Sequence, residues 1–164
     1  MRQIFIRIVA LLAAVGLLSG PSLAAQLVSR KALTLEVAKQ MAAVAMQDAV
    51  KQKGRVVIAV MDEGGHLMYL ERMDGAPAGS IDLAIKKARS VTQYHLPTAF
   101  FQKMMKEGHM NVLGISDAMP WAGGVPVMWQ GQLIGALAVS GMQPEQDAAA
   151  ATLGANAISG IVGD

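Results

Sequence analysis

The sequence predicts an α+β domain, an antiparallel sheet of four or five strands with helices packed on it. Two observations carry that expectation. Two separate stretches read strand, tight turn, strand: Val56 to Met61, Gly64-Gly65 and Leu67 to Glu71, then Val125 to Trp129, Gln130-Gly131 and Gln132 to Ser140. Stretches of helical period lie before, between and after them. Strands joined by hairpins rather than crossovers run antiparallel, and an isolated hairpin is only marginally stable, so the two need each other and the helices.

Residues 1–24 read as a cleaved secretory signal. Arg2 and Arg7 form a basic start, Ile8 to Leu18 is uncharged and apolar, and Ser22-Leu23-Ala24 presents small residues where a signal peptidase reads. The apolar core of about eleven residues is short of the roughly twenty that a span needs, so no stable membrane insertion is expected after cleavage. This predicts a periplasmic or secreted protein and leaves residues 25–164 as one domain. Removing Arg2 and Arg7 leaves twelve basic side chains against 12 acidic ones, which argues against a nucleic-acid partner despite the basic precursor. There is no cysteine, so stability rests on the core alone. A chain this apolar, rich in Ala, Gly and Met, is expected to bury surface between copies as a homo-oligomer.

Thr34 is the expected N-cap of a helix reaching about Lys53, with Glu36 in its first turn, Gly54 as its stop, and Val37, Met41, Val44, Ala45 and Ala49 as its apolar face. After the first hairpin and a loop over Gly75 to Gly79, Ser80 is the expected cap of a second helix, with Asp82 near its positive end. Ile81, Ala84, Ile85 and Ala88 form its buried stripe, and Lys86, Lys87 and Arg89 its solvated face. Pro97 breaks the helix and Thr98 caps a third one, to about Glu107. Gly108 to Gly124 lacks a period and reads as a binding or interface loop. After the second hairpin, Pro144 fits the first turn of a last helix, with Glu145 and Asp147 at its N-terminus.

The sequence contains no Gly-x-Ser-x-Gly elbow, no phosphate-cradling lysine loop, no dinucleotide fingerprint and no His-Glu-x-x-His. Three histidines remain. His66 follows Gly-Gly at a strand start, where an imidazole either faces a cleft that the glycines open to a large ligand or is satisfied by a nearby carbonyl. His95 ends a helix, where a capping role fits the dipole, and His109 reads as solvated. Met104, Met105, His109 and Met110 place thioethers beside an imidazole, a Cu(I)-type donor set, although the two adjacent methionines point about 100° apart on a helix and packing is the ordinary use of Met.

The pattern Asp62-x-Gly-Gly-His66, Glu71-Arg72-Met73-Asp74-Gly75-Ala76-Pro77, Ser80-Ile81-Asp82, Lys87-Ala88 and Pro97-Thr98 resembles the GlcG/HbpS-like family of haem-binding and haem-degrading proteins, related also to the C-terminal domain of PduO-type proteins. Gly123-Gly124-Val125-Pro126, Ile134-Gly135-Ala136, Val139-Ser140-Gly141 and Pro144-Glu145-Gln146-Asp147 continue it, so the likeness spans about Leu33 to Gly160. It implies a PAS- or profilin-like α/β sandwich and haem as cofactor. It further implies a crevice near the first hairpin with His66 as the candidate iron ligand, Leu67, Met68, Trp121 and Met128 as walls, and Arg72 or Lys87 meeting propionates. Thr98 lies near the family's proposed pocket, while Gly123 and Gly124 read first as a flexible entry to a strand and second as a place where a planar ligand could lie against the backbone. Two other readings remain: a binding or sensor module for a small hydroxy- or oxo-acid, and an enzyme on such an acid, suggested by the family's association with glycolate utilisation. Where relatives commonly have Gly-Thr before Pro-Glu-Gln-Asp, this chain has Met142-Gln143, so its last helix is expected to be capped differently.

Overall fold

The computed structural model describes residues 25–163, and the expected signal segment lies outside them. Its elements are α1 (Leu35–Lys51), β1 (Val57–Asp62), β2 (Leu67–Arg72), α2 (Gly79–Tyr94), α3 (Thr98–Lys106), a 3-10 turn (Met110–Gly114), β3 (Gly124–Trp129), β4 (Gln132–Ser140), α4 (Pro144–Asn156) and α5 (Ile158–Ile161). The four strands form one antiparallel sheet in the order β2-β1-β4-β3. The two hairpins thus meet through their β1 and β4 strands, and β2 and β3 are the edges.

Strand β1 is covered on both faces, which explains why it reads as a continuous apolar run instead of alternating. Ile58 and Val60, with Val125, Val127, Leu137 and Val139, face α1 and α4. Val57, Ala59 and Met61, with Ala136 and Ala138, face Ala84, Ala88 and Val91 of α2. The sheet is therefore the middle of three layers. Pro126 sits on the edge strand β3, where its missing N–H costs no ladder bond.

The local signals mostly act as expected. Thr34 Oγ1 accepts from the Val37 N–H at 3.3 Å. Gln130 and Gly131 both have positive φ, 47° and 79°, the type I′ geometry that matches strand twist. His95 takes a left-handed φ of 56° at the end of α2, its N–H donating to the Val91 carbonyl.

Several details differ, each for a tertiary reason. The buried stripe of α1 is Ala38, Met41, Ala42, Ala45 and Ala49, with Val37 and Val44 only partly covered. Small residues are selected there because α4 comes close: a Cβ on Gly154 would stand 2.9 Å from both the Ala45 Cβ and the Met41 carbonyl oxygen. Ser80 does not cap α2; it lies buried inside the first turn, and the cap position, Ala78, makes no side-chain bond. Thr98 does not cap α3 either, its hydroxyl being turned to β3. Lys87, expected on a solvated face, has no exposed surface at all.

The α1–α4 approach gives a direct test. Gly154→Ala forces backbone and Ala45 apart and should lower stability by ~1–3 kcal/mol, read as a lower midpoint in urea with an unchanged slope.

Candidate functional site

The predicted residues fall into two groups at opposite ends of the sheet. In β1, Val57 pairs with Ser140 and Asp62 with Gly135, while β3 begins at Gly124 opposite Ala138. His66 follows the β1–β2 turn at the Asp62 end. Gly123, Gly124, Thr98 and Lys87 gather at the other.

At the first end the turn is built by Asp62 and Gly65. Gly65 takes φ 80°, its N–H donates to the Asp62 carbonyl, and the His66 N–H donates to Asp62 Oδ1 at 2.9 Å. The same carboxylate lies 3.2 and 3.3 Å from His66 Nδ1. A carboxylate only accepts, so Nδ1 carries the proton and a neutral imidazole keeps its Nε2 lone pair free. The ring is 81% exposed, so Nε2 is open to a ligand. This arrangement, a carboxylate orienting a histidine whose second nitrogen is free, is the usual support of a metal-ligating imidazole. Leu67 beside it is about half exposed, whereas Met68, the extra residue of a bulge opposite Val60 and Met61, packs partly into the α1-side core.

Arg72 lies at the far end of the edge strand β2. Its Nε and a terminal nitrogen both donate to the Ala76 carbonyl, at 3.1 and 2.7 Å, so the guanidinium fastens the loop after β2.

At the second end Lys87 reaches from α2 past the sheet. Its ammonium donates to the Val139 carbonyl and to Asp147 Oδ2, both at 2.9 Å. The other Asp147 oxygen accepts from the Met142 N–H at 3.0 Å. Both side chains are sealed from water. Burial pushes the Lys87 ammonium down and the Asp147 carboxyl up from their ordinary values, and their mutual attraction opposes both shifts. Gly123 makes room for this pair: at φ 127°, a Cβ there would lie 2.6 Å from the lysine Nζ. The Gly124 N–H donates to the buried Thr98 hydroxyl at 2.9 Å. Lys87, Thr98, Gly123 and Gly124 are thus one contiguous polar knot.

The expected walls are separated as well. Trp121 stands half exposed beside the knot, and Met128 is half exposed on the edge strand β3. Among the described residues no three His, Asp or Glu side chains converge as a metal-holding group.

Sequence reasoning missed two partners. Asp147 was legible only as a helix-start carboxylate, and nothing local links it to a lysine sixty positions earlier. Asp62 had a readable signal, its spacing of four from His66 across a Gly-Gly turn.

A family model described as "Haem degrading protein HbpS-like" matches residues 33–156. The chain belongs to the HbpS-like family. Protein GlcG of Escherichia coli (strain K12) is 33% identical over 108 residues, 66% of this chain and 81% of that protein. The HbpS-like fold is shared with Klebsiella pneumoniae protein ORFY, whose crystal structure matches with a TM-score of 0.77 at 30% identity, covering 84% of this chain and 98% of that one. It is shared too with a crystal structure described as a PduOC:Heme complex, at TM-score 0.71 and 26% identity, covering 79% and 96%.

In this HbpS-like chain the knot should be costly to break from one side and cheap to replace as a whole. Asp147→Ala strands a buried ammonium and should cost ~3–5 kcal/mol, while the double change Lys87→Met with Asp147→Leu should recover much of that loss, both measured by equilibrium urea unfolding.

Proposed function

We propose that this protein binds haem, with His66 Nε2 as the axial donor and Asp62 as the group that holds the ring. The observation that carries the reading is the membership of a haem-degrading family together with a solved relative described in complex with haem. The chain's own chemistry is compatible with it. A haem iron accepts an imidazole nitrogen, and His66 presents one that is oriented, unprotonated when neutral and accessible. Leu67 gives the plane apolar contact next to that donor.

Exposure of the ligand has a consequence. A porphyrin seated on the hairpin of one chain would keep much of its apolar area in water, so the reading includes self-association that covers it. Leu96, Phe100, Met110 and Ile115 are among the large exposed side chains available to bury between copies. The basic, apolar and small-residue grammar of residues 1–24 supports a reading of export to a periplasmic or extracellular setting.

Haemin titration of residues 25–164, followed in the Soret band, is the decisive experiment. Saturable binding with a shifted band is expected, weakened by His66→Ala and reduced ~10–100-fold by Asp62→Asn through loss of ring orientation. Unchanged affinity and spectrum in His66→Ala removes this histidine from the site. Light scattering after size exclusion should return a multiple of the chain mass at micromolar concentration, and a monomer there ends the proposal of self-association.

A further inference from the structure

Near the knot lies a surface groove away from His66, and it holds Trp121, which the family resemblance had suggested as a haem wall. It runs between α3, the Pro120-Trp121 segment and the start of α4, and encloses about 460 Å³. That lies within the range of small-molecule pockets, roughly 300–1,000 Å³. Trp121, Met105, Leu113 and Pro120 give it an apolar side, with the indole about half exposed and offering a π-face to a flat ring.

The polar side has a definite sense. Glu145 Oε1 accepts from Lys106 Nζ and from Gln102 Nε2, each at 3.1 Å. Gln102 is used twice, because its Oε1 also accepts from the Ala122 N–H at 2.7 Å. The carboxylate is therefore well supplied with donors. Lys106 is the opposite case: an ammonium has three N–H groups, and Glu145 takes one. Two N–H groups of the Lys106 ammonium are thus left for an acceptor on a ligand, and a charge-assisted bond there favours an anion.

We propose that this groove binds a planar aromatic ligand bearing a carboxylate, the ring lying on Trp121 and the carboxylate taking the remaining N–H groups of Lys106. Two kinds of molecule carry that chemistry, a tetrapyrrole with its propionates and a small aromatic acid. The inference does not depend on iron ligation, and the test separates the two.

Metal-free protoporphyrin IX and indole-3-acetate are titrated separately into residues 25–164, by porphyrin fluorescence and by calorimetry. Saturable binding of one of them is expected, and which one identifies the source. For that probe, Trp121→Ala should weaken binding at least ~5-fold and Trp121→Phe restore most of it, because the ring face is what matters. Lys106→Gln should weaken it ~3–10-fold and flatten its salt dependence. Both side chains are exposed enough that neither change should unfold the protein, and His66→Ala should leave the constant unmoved. Failure of both probes to saturate overturns the proposal, as does wild-type affinity in both the Trp121→Ala and Lys106→Gln proteins. Haemin binding lost in His66→Ala while protoporphyrin binding persists would uphold both sites independently.

Discussion

A lysine ammonium out of contact with water holds together three parts of this molecule. Lys87 belongs to the helix on one face of the sheet, Asp147 to the helix on the other, and the Val139 carbonyl to the strand between them. Removing an ammonium and a carboxylate from water costs several kcal/mol per ion before their attraction is counted, so the arrangement depends on the further hydrogen bonds that both ions make. The Met142 N–H supplies one for Asp147. The backbone at Gly123 passes so near the lysine that any side chain there would collide with it. The glycine is thus a requirement of the ion pair, and the start of β3 takes its course from that requirement.

The groove beside the knot inherits this geometry. Gly124 is fixed by the Thr98 hydroxyl at the first residue of α3, and Ala122 by Gln102 one turn further along the same helix. Trp121 directly precedes these anchored residues, its own N–H donating to the Met119 carbonyl, and it lines the groove together with Gln102, Met105 and Lys106 of α3. Glu145 lies two residues before Asp147 at the start of α4. One buried pair therefore indirectly places both the aromatic and the charged sides of the groove.

What sequence could and could not reveal follows from the range of each interaction. The hairpins were legible because turn dipeptides and strand periods are local, and four strands in antiparallel order resulted. The substitution of Met142-Gln143 for a smaller pair was legible as a change in capping, and the chain answers it with the Gln143 N–H donating to Gln146 Oε1. Met142 uses its length elsewhere, its sulfur packing where a Cβ on Gly54 would otherwise sit. Lys87 was misread as solvated because helical periodicity places it between Lys86 and Arg89, which are exposed. Charge predicts exposure unless a partner is available, and the partner here is sixty residues away. Thr98 and Ser80 were misassigned for a related reason: a hydroxyl near a helix start is a good cap in isolation, and tertiary donors outcompeted that use for Thr98.

The two chemically equipped ends of the sheet differ in kind, and the difference bears on how each can work. At the His66 end one carboxylate makes two roles possible, closing the turn through the backbone N–H and orienting the imidazole, but among the described residues the ring stays largely exposed. Such a donor is well aimed and poorly enclosed. At the other end the groove is an open cleft lined by one chain, while the strongest cation nearby, Lys87, is already committed to the fold. Recognition there must rely on Lys106, whose exposure makes its contribution modest and salt-dependent. A ligand held chiefly through iron would therefore favour the first end and depend on a covering partner. One held through its ring and carboxylate would favour the second and need none.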